Sequence, residues 1–186
     1  MLKKIFSLFV LISIPLCAAN ASLTDKFSQW GHFIADDITT MYCNPHYYDI
    51  YVPVYAWHNR LTYDKEHIDK YNENPWGAGF GISHYNSENT WSGIYGMAFK
   101  DSNSYVETYF GYARQWNWTA GEKDQWRAGV GYALGVTQRH EYGYIPVPLP
   151  LPLFGVGYDH IDLQAVYIPG IKNDGNVLFA FTRFHF

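Results

Sequence analysis

The sequence predicts an all-β protein, an eight-stranded antiparallel transmembrane β-barrel preceded by an N-terminal amphipathic α-helix. Three observations predict this fold class: a secretory leader, long segments in which apolar residues alternate with small or polar ones, and a terminal phenylalanine. No later apolar stretch reaches the roughly 20 residues that a membrane-spanning helix needs. We therefore expect a signal peptide at 1–21, the amphipathic helix at 22–43 and the barrel at 44–186.

The leader opens on a basic pair, Lys3 and Lys4, and continues with an apolar run over 5–16. Small residues within 19–21 then predict cleavage after Ala21. A leader of this kind ahead of a barrel pattern predicts a location in the outer membrane of a Gram-negative bacterium.

The composition predicts a surface that something other than water covers in part. Aromatic residues make up 19% of the chain and charged residues only 16%, too few charges for an ordinary water-soluble surface. The formal charge of −4 becomes −6 once the two leader lysines are removed, which argues against nucleic acid as a partner. Only Cys43 remains in the mature chain, so no internal disulfide is expected. The dispersed histidines lack metal-site spacing, and we expect neither a metal nor a cofactor.

The segment from Thr24 to Met41 carries apolar residues at spacings of three and four, which predicts an amphipathic helix. One interpretation is a helix packed on a soluble core, and the other is a helix lying at a membrane interface. The interface is favoured because no other helix follows for it to pack against.

From Tyr47 onward the apolar period changes to two. In the clearest segment, 126–137, one strand face is apolar and the other is small or polar, and 76–83 divides in the same way. An eight-stranded barrel is only wide enough to be filled by side chains or to hold one small ligand, so no pore is expected. The other six strands are predicted at about 48–61, 91–99, 105–116, 154–158, 161–168 and 176–186.

Glycines on the inward strand faces allow two interpretations. They relieve crowding in a strongly coiled barrel, or they leave room for a hydrocarbon chain in an apolar slot. We favour the slot because the last strand also turns apolar residues inward. The inward residues are Gly77, Gly79, Gly81, Gly129, Gly131, Gly135, Val177, Phe179 and Phe181.

Prolines interrupt the strand pattern at Pro53, at Pro169 and in a cluster over 146–152. Each proline lacks a backbone donor, and unpaired backbone is costly within a bilayer. A sideways opening for a lipid tail would explain such breaks. For the clustered prolines, a long connection over 144–153 explains the pattern as well.

The candidates for chemistry are polar residues at strand ends, His58 after the first strand and Asp101 with Ser102 after the third. These ends share one rim, because the first and third strands of an up-and-down barrel point the same way. A histidine beside a carboxylate and a hydroxyl can deprotonate an attacking alcohol while nearby donors hold the developing oxyanion, which is acyl-transfer chemistry. Such residues are also common in ordinary loops, so spacing alone leaves both interpretations open.

Ten short segments carry a likeness to a known family: YDIYVP at 48–53, WH at 57–58, YDKE at 63–66, YNE at 71–73, PWG at 75–77, MAFKDS at 97–102, YIP at 144–146, VGY at 156–158, YIPG at 167–170 and GNV at 175–177. In these segments the chain resembles the lipid A palmitoyltransferases of the PagP family, and the resemblance covers essentially the whole mature chain.

The resemblance implies transfer of palmitate, or an acyl chain close in length, from the sn-1 position of a glycerophospholipid donor to lipid A in lipopolysaccharide. The acceptor is the hydroxyl of the N-linked hydroxyacyl chain. His58, Asp101 and Ser102 are the implied catalytic residues, near the extracellular rim. We expect a membrane-embedded monomer that supports resistance to cationic peptides. Two non-enzymatic alternatives remain, a small structural or adhesive barrel and a barrel that binds lipid without chemistry.

The resemblance also assigns roles inside and beside the barrel. Lateral openings are implied at Pro53 with Pro75 and at Pro152 with Pro169. The position that sets acyl length is a glycine in palmitate-specific members and Ala113 here, so the extra methyl predicts a preference slightly below palmitate. A lysine of familiar members is replaced by His67, and recognition of lipopolysaccharide phosphates is therefore expected to differ in detail.

Overall fold

A computed structural model describes residues 21–121 and 125–186 of the chain. The predicted signal peptide lies outside these residues except for Ala21, so its cleavage site stays a prediction. Among the described residues, no helix is both long enough and apolar enough to span a bilayer.

The predicted N-terminal helix is present as α1, Ala21–Cys43. Its large apolar side chains Phe27, Trp30 and Phe33 are exposed. A place at the membrane interface stays a prediction for this helix. Two short helical turns occur later, α2 at Lys65–Ile68 and a 3-10 helix at His140–Tyr142.

Eight antiparallel strands follow and close into a barrel in sequence order, with β8 paired to β1. The predicted fold class is therefore confirmed. The strands are β1 (Tyr47–His58), β2 (Gly77–Tyr85), β3 (Thr90–Lys100), β4 (Val106–Ala120), β5 (Trp126–Gln138), β6 (Val147–Tyr158), β7 (Ile161–Ile168) and β8 (Val177–His185).

The two faces of the barrel wall differ as the alternation predicted. Outward side chains are large, apolar and exposed on successive strands, as expected of a wall that faces lipid. Examples are Phe80 on β2, Phe110 on β4, Val130 on β5 and Val156 on β6. We call the rim at which β1, β3, β5 and β7 end the upper rim, and the opposite one the lower rim.

Strand β6 is longer than predicted, since it begins at Val147 and includes three prolines. The interpretation of 144–153 as a plain connection is therefore wrong for 147–153. Pro148, Pro150 and Pro152 all have register partners on β5, whereas pairing with β7 begins only at Leu153. The three prolines occupy alternate positions of β6, so the backbone N–H groups that they lack would all point toward the same neighbouring strand. This stretch makes no backbone pairs with β7, so the prolines disrupt no hydrogen bonds on that side.

The described strands leave two stretches of the wall unpaired, both toward the upper rim. β1 pairs with β2 only over Tyr47–Tyr51, and β6 pairs with β7 only from Leu153 down to Tyr158. Pro53 and Pro152 lie just above the last pairs of these two ladders. The sequence places the other two implicated prolines at the same gaps, with Pro75 ahead of β2 and Pro169 after β7. Their role in lipid access stays a proposal.

The interior consists of two layers. An apolar layer lines the upper part, and a polar layer of buried hydrogen-bonding groups lies toward the lower rim. The apolar layer includes Tyr51, Tyr95, Met97, Phe99, Tyr109, Ala113, Ala133, Leu151, Leu153, Val166, Phe179 and Phe181. The polar layer includes Asp49, Ser83, Gln115, Asp162, Gln164, Arg183 and His185.

The inward glycines make room for neighbouring aromatic side chains. A Cβ at Gly81 would lie 3.1 Å from Cε2 of Tyr51, and one at Gly135 would lie 2.6 Å from the hydroxyl oxygen of Tyr109. A side chain at either position would therefore meet a neighbouring tyrosine ring, and the slot for a hydrocarbon chain stays a prediction.

Candidate functional site

His58 and Ser102 meet at the upper rim. The Nε2 atom of His58 lies 2.9 Å from Oγ of Ser102, although the two residues are 44 positions apart in the chain. His58 is the last residue of β1, and Ser102 is in the turn that follows β3. The up-and-down strand order therefore brings these two candidates into hydrogen-bonding contact.

Two tyrosines of the β1–β2 loop hold the imidazole of His58. The Tyr71 ring stacks on it at 4.9 Å between centroids, and the Tyr63 ring meets it edge-on at 5.1 Å. Tyr63 is itself fixed by a 2.5 Å hydrogen bond from its hydroxyl to the carbonyl oxygen of Gly175. Burial raises the pKa of both phenols, so they stay neutral at physiological pH.

The second ring nitrogen of His58 faces a carboxylate that the sequence analysis did not single out. Nδ1 lies 3.1 Å from Oε1 of Glu73, in the β1–β2 loop. The same carboxylate accepts two hydrogen bonds of 2.6 Å from the Arg60 guanidinium and one of 2.9 Å from the Tyr55 hydroxyl. Hydrogen bonds from Arg60 lower the pKa of Glu73 to about 2, so the carboxylate is ionised at neutral pH.

These contacts fix the protonation of the imidazole. An ionised carboxylate only accepts hydrogen bonds, so Nδ1 of His58 must carry the proton that Glu73 accepts. In the neutral ring, Nε2 is then unprotonated and accepts a hydrogen bond from the Ser102 hydroxyl. This is the arrangement that an activated serine nucleophile requires.

Asp101 is buried at 4% exposure but contacts its own turn. Its Oδ1 accepts backbone N–H groups from Asn103 at 2.9 Å and from Tyr105 at 2.8 Å. Both ring nitrogens of His58 are occupied by other residues, so Asp101 is not hydrogen-bonded to the imidazole. Its Oδ2 is buried and has no hydrogen-bond partner among the residues described. Asp101 thus shapes the turn that carries Ser102 and keeps one oxygen uncommitted.

The other predicted site residues lie at different depths. Ala113 is fully buried on β4, with Gly93 and Ala133 as its register partners. It stands two residues above Gln115, at the boundary between the apolar and polar layers. His67 is on α2, with its ring 6.2 Å from that of Tyr71, so it lies beside the site rather than in contact with His58.

No group of three or more His, Cys, Asp or Glu side chains within 21–121 and 125–186 has a geometry that would hold a metal ion. The groups at the upper rim that can take part in chemistry are the Ser102 hydroxyl, the His58 imidazole and the carboxylates of Glu73 and Asp101.

Comparison with known proteins gives a consistent result. Residues 37–183 match the family model described as "Antimicrobial peptide resistance and lipid A acylation protein PagP". The chain is 43% identical over 186 residues to the Salmonella typhi protein named "Lipid A acyltransferase PagP", covering all of this chain and 97% of that one. A protein of the same name from Proteus mirabilis is 51% identical over 171 residues, which is 91% of this chain and 80% of that one.

Proposed function

Since this chain belongs to the PagP family of lipid A acylation proteins, it is an acyltransferase that acylates lipid A, and we propose the finer reaction from its upper rim. The donor is a glycerophospholipid, which gives up the acyl chain of its sn-1 position. The acceptor is the hydroxyl of the N-linked hydroxyacyl chain on lipid A. The transferred group is palmitate or a chain close to it in length.

The observation that carries this proposal is the 2.9 Å contact between Oγ of Ser102 and Nε2 of His58, the ring nitrogen that the Glu73 contact at Nδ1 leaves free to accept a proton. As Oγ attacks the ester carbonyl of the donor, Nε2 takes the serine proton. The tetrahedral intermediate collapses, and the leaving lysophospholipid oxygen takes that proton back. The lipid A hydroxyl then attacks the acyl-serine ester by the same proton transfers, which restores Ser102 and leaves the acyl chain on lipid A.

A direct route uses the same pair without a covalent intermediate. Here Nε2 of His58 deprotonates the lipid A hydroxyl, and the Ser102 hydroxyl donates a hydrogen bond to the oxyanion. Phospholipid without lipid A distinguishes the routes in a rapid-quench experiment. Only the acyl-serine route gives a stoichiometric burst of lysophospholipid together with an acyl ester on Ser102, which mass spectrometry of the quenched protein detects.

We assign Asp101 to the reaction through its free oxygen. Oδ2 is buried, it has no partner among the described residues, and it belongs to the residue next to Ser102. A substrate hydroxyl donating to this oxygen would be held and polarised beside the reacting pair. The carboxylate would thus act on the substrate rather than on the imidazole.

The barrel wall and interior suggest how the acyl chain is held. We propose that lipid enters through the two unpaired stretches, one with Pro53 and Pro75 and the other with Pro152 and Pro169. The acyl chain then occupies the apolar layer, and its length is limited near Ala113. The buried polar groups below Ala113 would exclude hydrocarbon, because they would lose hydrogen bonds without replacement.

The setting of the reaction follows from the barrel and its family, which fit an outer-membrane protein. We propose that the upper rim faces outward, since it carries the longer loops, and that the leader is cleaved after Ala21. His67 takes part in lipopolysaccharide recognition, and a single barrel is the functional unit. The acylated lipid A would raise resistance to cationic peptides.

The deciding experiment is the mass of lipid A after incubation with the purified protein and phospholipid in mixed micelles. We expect a gain of one acyl group with the wild type and none with His58→Ala or Ser102→Ala, although both variants keep barrel-like resistance to heat. Lipid A of unchanged mass with the wild type would support a structural barrel. A bound acyl chain that is never transferred would support lipid binding without chemistry.

A further inference from the structure

Glu73 contacts the His58 imidazole on the face opposite Ser102. Its Oε1 lies 3.1 Å from Nδ1 of the ring and also accepts the backbone N–H of His58 at 3.1 Å. The three residues therefore form one line, from the Ser102 hydroxyl through the imidazole to the Glu73 carboxylate.

The surroundings of Glu73 hold its carboxylate in a single orientation. Arg60 donates to both carboxylate oxygens, and Tyr55 donates to Oε2. Arg60 also donates to the backbone carbonyl of His58 at 3.0 Å, so the guanidinium is tied to both partners of the imidazole contact. Every one of these neighbours is a donor, and a carboxylate is the side-chain group that can accept from all of them.

From this geometry we propose that Glu73 is the positioning residue of the active site, which fixes the His58 tautomer and stabilises the imidazolium formed during acyl transfer. The inference rests on the proposed function of the His58–Ser102 pair. From the sequence we expected Asp101 to be the carboxylate beside the imidazole, and the structure has Glu73 in that contact.

The proton balance of this role is simple. When Nε2 takes the proton of the attacking hydroxyl, the ring becomes positive while Nδ1 keeps its own proton. The Glu73 carboxylate stays ionised throughout and faces that positive charge across a hydrogen bond. Without it, the ring could place its proton on Nε2 instead, and Ser102 would then face a donor rather than a base.

A purely structural role for the side chain would predict something different. The β1–β2 loop is already fastened to β1 by a 3.0 Å hydrogen bond from the Ala56 N–H to the backbone carbonyl of Glu73. This bond does not depend on the Glu73 side chain. The loop should therefore keep its place when the carboxylate is changed to an amide.

The test is Glu73→Gln, which keeps the shape and removes the charge. We expect kcat for transfer to lipid A to fall about 100-fold or more, with KM for the phospholipid within about threefold. Glu73→Asp restores a carboxylate that is one methylene shorter, and its kcat should lie between the two. The control is Glu66→Gln, an exposed carboxylate of the same loop that pairs only with Lys70 in the contacts described; its kcat should match the wild type.

A second measurement is independent of activity. Nitrogen-15 shifts of the His58 ring, assigned by comparison with His58→Gln, report which nitrogen carries the proton. We expect the Nδ1–H form in the wild type and an increased Nε2–H population in Glu73→Gln, or in Glu73→Asp if the amide variant does not fold. An unchanged tautomer would overturn the proposal, as would Glu73→Gln with wild-type kcat or with a changed KM alone. Failure of the wild type to transfer an acyl chain from the phospholipid to lipid A would instead reject the proposed function, and the tautomer result alone would then decide the role of Glu73.

Discussion

The backbone N–H of Asn72 donates to the carbonyl oxygen of Ser102 at 2.8 Å. This bond joins the long loop after β1 to the short turn after β3, directly at the proposed nucleophile. Since Glu73 is the next residue of the loop, the main chain that presents the carboxylate to His58 also supports the serine. The loop that carries Glu73 and the turn that carries Ser102, which contact opposite sides of the His58 imidazole, are therefore linked to each other through the backbone.

Asp101 holds the turn on the other side of Ser102, and its two possible roles can be separated. In Asp101→Asn, the amide oxygen can still accept the N–H groups of Asn103 and Tyr105, so the turn should persist. The variant loses the charge of the uncommitted Oδ2. We expect kcat to fall about 100-fold with unfolding temperature unchanged, measured by lipid A mass and circular dichroism.

The alternative for Asp101 is a role confined to the turn. Asp101→Asn would then keep wild-type kcat, whereas Asp101→Ala would lose both activity and stability because two backbone donors lose their acceptor. Full activity in the asparagine variant would therefore remove Asp101 from the proposed chemistry.

The acyl-length prediction concerns one methyl group in the lumen. Ala113→Gly enlarges the site at the lower end of the apolar layer, and packed interiors respond to changes of even one methylene. We expect the wild type to prefer chains slightly shorter than palmitate and the variant to shift toward palmitate. Competition among donors of mixed chain length, followed by mass spectrometry of lipid A, measures the shift.

A matched control for this change is Ala128→Gly, because Ala128 is exposed on the outer face of β5. It makes the same chemical substitution on the lipid side of the wall and should leave the chain-length profile unchanged. Strict palmitate transfer by both the wild type and Ala113→Gly would contradict the prediction.

The lateral opening between β6 and β7 can be closed by a disulfide. Extending the observed register places Pro152 opposite Tyr167, just above the last paired residues. In a Cys43→Ser background, which removes the exposed free cysteine, Pro152→Cys with Tyr167→Cys should reduce transfer at least tenfold when oxidised. A reductant should restore the rate, because breaking the disulfide reopens the gap between β6 and β7.

The control for the disulfide places cysteines at Val156 and Leu163, register partners in the paired part of the same two strands. Both side chains are exposed on the outer face, so the crosslink adds a bond where the wall is already closed. Transfer should be insensitive to its oxidation. Equal rates for the oxidised and reduced forms of the upper pair would show that lipid does not use this gap.

The sequence predicted which residues of each strand point outward and which point inward. Large residues such as Phe80 alternate with small ones such as Gly81, and this alternation repeats along the strands. The start of β6 could not be predicted in this way. Prolines at alternate positions suggested a connection, and they are compatible with a strand because this stretch pairs with β5 and not with β7. The His58–Ser102 contact followed from strand order, whereas Glu73 lies in a loop without periodicity, and its contact depends on how that loop folds back on β1.

The ionised state of Glu73 predicts a pH dependence of stability. Its pKa is about 2 in the folded protein and 4.5 ordinarily, so folding favours the ionised form. The stabilisation is complete above about pH 4.5 and is lost as pH falls toward 2. Unfolding temperatures of the wild type and Glu73→Gln should therefore differ at neutral pH and converge below pH 4.5. A constant difference across this range would show that ionisation does not contribute.

The largest loss of stability is predicted for a substitution in the polar layer. The Arg183 guanidinium is fully buried, donates to Asp49 at 3.2 Å and to the Asp162 carboxylate, and lies 4.8 Å from the Trp91 ring. Arg183→Met leaves the buried Asp49 carboxylate without its cation, whereas Asp162 keeps Arg127 at 3.2 Å, and the change should cost about 3–5 kcal/mol. Thermal unfolding in detergent measures this loss. Adding Asp49→Asn should recover much of it, because a neutral amide needs no counter-charge. If the double variant is as unstable as Arg183→Met, the loss comes from packing of the guanidinium against Trp91 and not from unpaired charge.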